Sequence, residues 1–310
     1  MGQGEKIADE STVSAQSVHP STSGVFRRAA LQEGSWPPPP SPEQHAEAWS
    51  LCTKAYDVFA ECVTRPFAED AIRLVHVTSG TRVLDVAAGT GAFSLAAARR
   101  GAEVLATDFS PEMIAELQRK CGRLGHDNVR AELMDGQALS LPDNSFDVAA
   151  SLFGLMFFPD HDRGLSELLR VLRPGGRALV ATWAPPARVE MMRLVGDAAM
   201  SAKLELPAAE ELPHWAALSS PRGLKHRLLA LGFAKVHVVS VAHVWTFDRA
   251  EMLAELLPIA TPSFSALFEA MDAVQREAFV QALVNDLRER QGDGPFAVTS
   301  EGFIAVGTKA

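Results

Sequence analysis

The stretch Val83-Leu84-Asp85-Val86-Ala87-Ala88-Gly89-Thr90-Gly91-Ala92-Phe93 passes from an apolar strand pattern into a glycine turn and then into a helix pattern. Glycine is required where backbone comes into contact with a ligand or where φ is positive, and the start of the helix offers free N–H groups to whatever sits there. A nucleotide-like ligand is implied. The dinucleotide fingerprint G-x-G-x-x-G lacks its third glycine here, because Ala92, Phe93 and Ser94 follow Gly91. Asp85 argues in the same direction: a carboxylate on this strand would repel a diphosphate and would suit a cationic amine.

Outward from this point the chain alternates short apolar runs with helical stretches, the rhythm of a parallel α/β sheet. Further strands are expected at 104–107, 129–134, 146–152 and 178–183, the last after the turn Pro174-Gly175-Gly176. The helix after Gly91 stops at Gly101, a good C-cap. Ser110-Pro111-Glu112 supplies an N-cap, a proline at the first helical position and an acid in the first turn, so a helix to about 121 follows. Another helix is expected at 165–172. The fold class is therefore α/β, a Rossmann-like doubly wound sheet, seven-stranded and mostly parallel.

On either side the rhythm changes. Residues 43–77 read as two short amphipathic helices split near Pro66. Residues 1–42 are rich in Ser, Thr, Gly and Pro, end in prolines at 37–40 and 42, and read as a flexible tail; a ligand for a proline-recognising domain is the sharper alternative. Beyond Trp183, helices are expected at 190–204 and 224–231, a strand at 236–241, a helical block at 250–290 and a closing strand at 303–306. The domain expected over 43–310 has its core at about 78–185 and 224–310. Helical lid insertions at about 186–222 and 244–294 cover one edge of the sheet and roof an apolar pocket.

With 310 residues, 47% of them hydrophobic, the chain can bury a substantial core, which excludes a wholly disordered protein. Lys plus Arg number 29 against 38 Asp plus Glu, a net charge of -9 with no dense basic run, so nucleic acid is not an expected partner. Cys52, Cys62 and Cys121 form no CxxC pair and no zinc spacing, which fits a reducing compartment. With no membrane-spanning run and no signal-peptide pattern, a soluble, cytoplasmic protein is expected. Met1-Gly2 is not a myristoylation signal, because Lys6 stands where Ser or Thr is required.

The glycine turn and its surroundings resemble a class I S-adenosylmethionine (SAM) dependent methyltransferase, in particular the menaquinone/ubiquinone C-methyltransferase-like group. The family motif Asp-x-Gly/Ala-x-Gly-x-Gly is matched by Asp85, Ala87, Gly89 and Gly91, with Ala87 departing from the commoner glycine. The resemblance covers roughly 55–183 plus the final strand. It implies SAM as cofactor, with Gly89 and Gly91 under its methionine and ribose and Asp85 near its amino group, often through water. Asp108, nineteen residues after Gly89, ends the second strand, where an acid can accept two hydrogen bonds from a ribose diol. Phe109 and Met113 could flank the adenine. By position in the family, Asp135 meets the adenine amino group and Gly136 and Gln137 approach the ring. Tyr56, the only tyrosine, lies in Ala55-Tyr56-Asp57, similar to a cofactor-closing segment of the group; otherwise it is a half-buried helix residue.

Ligands in such sheets lie beyond the carboxyl ends of the strands, which puts Ser151, Leu152, Phe153, Phe157, Phe158 and Trp183 beside the transferred methyl group. Methyl transfer is an in-line displacement that demands alignment and dryness rather than a metal or a covalent residue. A base is needed only if the acceptor must lose a proton, and His161, His214 and His243 are the candidates for it. No Asn-Pro-Pro-Tyr follows the fourth strand, where amino-methylating nucleic-acid enzymes carry it; Ser151-Leu152-Phe153-Gly154 stands there. The acceptor expected is a small organic molecule such as a quinone, phenol or amine. The alternatives are a nicotinamide-dependent oxidoreductase and a SAM-binding protein without catalysis. The sequence carries no signal for acceptor atom or oligomeric state.

Overall fold

The computed structural model describes residues 41–204 and 214–310. All of the expected tail except Ser41 and Pro42 lies outside them, as do residues 205–213 of the first expected insertion. The central early strands Arg82–Val86, Glu103–Asp108 and Phe146–Leu152 are short and buried almost throughout because helices cover both faces of the sheet, whereas Val129–Leu133, at the edge, is largely exposed. In chain order the core is β1 (Arg82–Val86), α3 (Ala92–Ala98), β2 (Glu103–Asp108), α4 (Pro111–Leu124), β3 (Val129–Leu133), β4 (Phe146–Leu152), α5 (His161–Val171) and β5 (Leu172–Trp183). Preceding it are α1 (Ala46–Phe59) and α2 (Arg65–Leu74). After it come α6 (Glu190–Ser201), α7 (Pro221–Ala230), β6 (Phe233–Phe247), α8 (Glu251–Ala260), α9 (Pro262–Ala270), α10 (Ala273–Gln291) and β7 (Phe296–Lys309).

The strands form one seven-stranded sheet in the order β3-β2-β1-β4-β5-β7-β6, parallel except for β7, which runs antiparallel to both neighbours. The chain order reverses between β1 and β4, and that switch point opens a crevice at the strands' carboxyl ends. Capping follows the expected chemistry. The Ser110 hydroxyl accepts from Met113 N, Gly125 ends α4 at φ 70°, and Asp160 caps α5 by accepting from Arg163 N at 3.0 Å.

The differences from expectation have local causes. The break between α1 and α2 is a π-helical stretch, Ala60–Thr64, rather than a gap at Pro66. Arg65 N reaches back five residues to Ala60 O, which loosens the helix just ahead of a proline that cannot donate. β6 runs on to Phe247 and β7 begins at Phe296, so the second insertion starts after 247 rather than at 244, and its helical block is three helices. Beyond the end of β5 these two strands continue as a ribbon, Val244↔Thr299 to Phe247↔Phe296. Among the described residues, no helix is long and apolar enough to cross a membrane.

Candidate active site

A cavity of about 300 Å³ lies at the switch point, at the low end of the size range for small-molecule sites. Its floor comes from the ends of the first strands. Ala87 and Gly89 follow β1, Asp108 and Phe109 close β2, Met113 comes from α4, and Met134, Asp135, Gly136 and Gln137 follow β3. One side is Leu152, the last residue of β4, with Phe153, Gly154, Phe157, Phe158 and Pro159 after it. Among the described residues the roof is Glu43, Gln44, Trp49 and Tyr56, from the N-terminal segment rather than from the insertions. The expected lid helices stand behind that roof: α8 packs on α1, and α9 on the 3-10 turn Pro42–Gln44.

Asp108 is held rigidly. Gly89 N donates to one carboxylate oxygen at 2.8 Å and Ser110 N to the other at 2.9 Å. Burial pushes its carboxyl up to about 6, while these backbone donors pull it down. Asp85, 1% exposed, does not line the main cavity; it accepts from the Ser94 hydroxyl at 2.6 Å, and burial pushes it up to about 7. It faces an adjoining cavity of about 10 Å³, shared with Tyr56 and with Thr90, whose buried hydroxyl has no hydrogen-bond partner. That space is about the size of one water molecule between polar groups. Burial, then the nearby Asp108 and Asp85, pushes the Tyr56 phenol upward.

Two non-glycine residues at the site hold left-handed backbone, Ala87 at φ 55° and Phe153 at φ 56°. Such conformations persist only where surroundings enforce them. The Phe153 ring stacks on Trp183 at 3.9 Å between centroids, and Phe67 meets it edge-on at 5.0 Å. Close approach explains the glycines. A Cβ on Gly89 would lie 3.0 Å from the Tyr56 ring, and one on Gly136 2.4 Å from Phe158.

Of the residues expected at cofactor or substrate, Tyr56, Ala87, Gly89, Asp108, Phe109, Met113, Asp135, Gly136, Gln137, Phe153, Phe157 and Phe158 line this one cavity. Gly91, Ser151 and Trp183 do not. Gly91 starts α3 at φ 94°, and a Cβ there would strike Leu117 at 2.3 Å, so packing on α4 demands the glycine. Ser151 is buried and caps the next turn, its hydroxyl accepting from Leu155 N at 3.0 Å. Trp183 supports Phe153 from behind. The three histidines are also elsewhere. The buried His161 donates from Nε2 to Met156 O at 2.9 Å, and burial lowers it to about 4. His214 donates to Phe158 O at 2.7 Å, and His243 pairs with Asp70 at 2.7 Å. Glu43, Gln44, Trp49, Met134, Gly154 and Pro159 went unanticipated, since only tertiary folding brings the first three to the site.

The cofactor's fit can be judged from this geometry. Among the described residues the cavity wall carries three carboxylates, Glu43, Asp108 and Asp135, and no Lys, Arg or His. The two on the floor, Asp108 and Asp135, suit a cofactor cationic at sulfur and amine, and the wall as a whole opposes a diphosphate. A methyltransferase-domain family model matches residues 83–176. Demethylmenaquinone methyltransferase of Thermus thermophilus is 35% identical over 193 residues, 58% of this chain and 87% of that protein. An uncharacterized protein of Mycobacterium tuberculosis is 39% identical over 139 residues, 45% of this chain and 50% of its own length, so the chain spans half of that relative. The crystal structure of YcgJ from Bacillus subtilis superposes with a TM-score of 0.51 at 20% identity, covering 77% of this chain and 95% of that one, a likeness of fold. The glycine turn, the acid-lined floor and these relatives agree: the chain belongs to the class I SAM-dependent methyltransferases.

Proposed function

We propose that this protein transfers a methyl group from SAM to a small organic acceptor. The observation that carries the reading is the fixed Asp108 carboxylate beside the Ala87–Gly89 turn, at the switch point of the sheet. Bound SAM supplies a methyl group activated by a positively charged sulfur. The chain's part is to bind, align and exclude water. Asp108 takes the ribose diol, Phe109 and Met113 flank the adenine, and Asp135, Gly136 and Gln137 meet its edge. Asp85 serves the amino group through the small adjoining cavity. Tyr56 closes over Gly89, and Phe153, Phe157 and Phe158 wall the acceptor side, with Trp183 bracing Phe153. None of these roles needs a metal or a covalent intermediate.

The test is incubation of the full chain with methyl-labelled SAM and a panel of phenols, quinones and amines, followed by product analysis. Label in at least one acceptor is expected. Tight SAM binding with no labelled product from any class would instead point to a binding protein.

A further inference from the structure

We infer that the acceptor carries a cationic amine and that Glu43 is the residue that selects it, an inference that rests on the methyl-transfer reading above. Asp108 and Asp135 belong to the cavity floor, where ribose and adenine are placed. Glu43 comes from the roof and is 5% exposed. Among the described residues its side chain has one hydrogen bond, from Ser263 N in the first turn of α9 to Oε1 at 3.0 Å. That contact fixes the carboxylate and leaves Oε2 free to accept from a ligand.

Aromatic rings share its cavity. Trp49 is pinned by donating from Nε1 to Glu43 O at 2.9 Å, with Tyr56 5.3 Å and Phe157 5.7 Å away between ring centroids. A carboxylate and aromatic rings lining one cavity supply the chemistry that holds an ammonium group. An acceptor bearing phosphate or carboxylate would meet only like charge in this wall. The rival occupant is the cofactor's own cation, so the test measures both.

Phenethylamine, 2-phenylethanol and 3-phenylpropionate share a ring and differ in the charge of the end group. Each is titrated calorimetrically into the full chain loaded with S-adenosylhomocysteine, and SAM is titrated into the unloaded chain. The amine is expected to bind about tenfold or more tighter than the alcohol, as one charge-assisted hydrogen bond implies, and the carboxylate weakest. Glu43→Gln keeps an oxygen for Ser263 N and should abolish the preference while leaving SAM affinity unchanged. Absent amine binding, equal affinity for amine and alcohol, or a preference that survives in Glu43→Gln overturns the inference. So does a parallel loss of SAM affinity in that variant, which would give Glu43 to the cofactor. The wild-type comparison decides even if the variant is unstable. Failure of SAM to bind the wild-type chain would remove the methyl-transfer reading itself.

Discussion

The floor and the roof of the cavity are held by different means. In the floor, Asp108 ends a strand of the parallel sheet and is bonded to backbone on both oxygens, one of the donors being Gly89 N. In the roof, Glu43, Trp49 and Tyr56 sit on a helix and its leading turn, held by side-chain contacts to distant segments. Glu43 reaches Ser263, 220 residues along the chain, and Lys120 of α4 pairs with Asp57 of α1 at 2.6 Å. The lesson is that the floor is set by backbone hydrogen bonds within one sheet, whereas the roof is set by packing of α1 on α4, α8 and α9, elements far apart in the chain.

That contrast can be broken in several places. Asp108→Ala should have the largest effect, weakening SAM binding on the order of tenfold to a thousandfold by calorimetry, through loss of up to two ribose hydrogen bonds. An unchanged affinity would refute the ribose assignment. In the roof, Lys120→Met removes a cation only 3% exposed and leaves Asp57 without that partner. It should cost about 1–3 kcal/mol of stability in denaturant unfolding. Its effect on SAM affinity should be smaller than that of Asp108→Ala; equal losses would mean that roof and floor act as one unit.

The acids of the floor also set a pH dependence. Asp85 and Asp108 hold protons more readily in the folded chain, up to about 7 and about 6, than in the unfolded one. Their contribution to stability is therefore fully present below about pH 4 and is lost as pH rises through those values. Without ligand, the melting temperature of the wild-type chain should fall from pH 5 to 8 relative to Asp85→Asn, and parallel curves would contradict the burial argument. A cationic ligand favours the ionised carboxylates, so SAM affinity should rise over the same window. The smallest effect is expected from Ala87→Gly, which relieves left-handed backbone at φ 55° and should add about 0.5–1 kcal/mol of stability.

How much was legible in the sequence follows the same division. The floor was readable because its residues lie within one run of βα units, where spacing along the chain fixes spacing across the sheet. The strand, the glycine turn and the acids Asp85, Asp108 and Asp135 were all visible there. The roof residues 43–49 carry only a helical pattern, and nothing local says that α1 folds back over the strand ends. The left-handed Ala87 and Phe153 were hidden because only glycine advertises that conformation. The excess length of β6 and β7 was missed although their outer halves alternate buried with exposed residues, a strand signal, because they pair with each other beyond the end of β5, past the span of the rest of the sheet. His161 and His243 looked available for chemistry and are instead engaged by Met156 O and Asp70.

The central claim is that the crevice at the ends of β1 and β2 receives a compact cationic cofactor rather than a dinucleotide. The most direct test is calorimetric titration of the full chain with SAM and, separately, with NAD. One SAM per chain, bound more tightly than NAD, is the predicted result; tighter binding of NAD, or no binding of SAM, would contradict it.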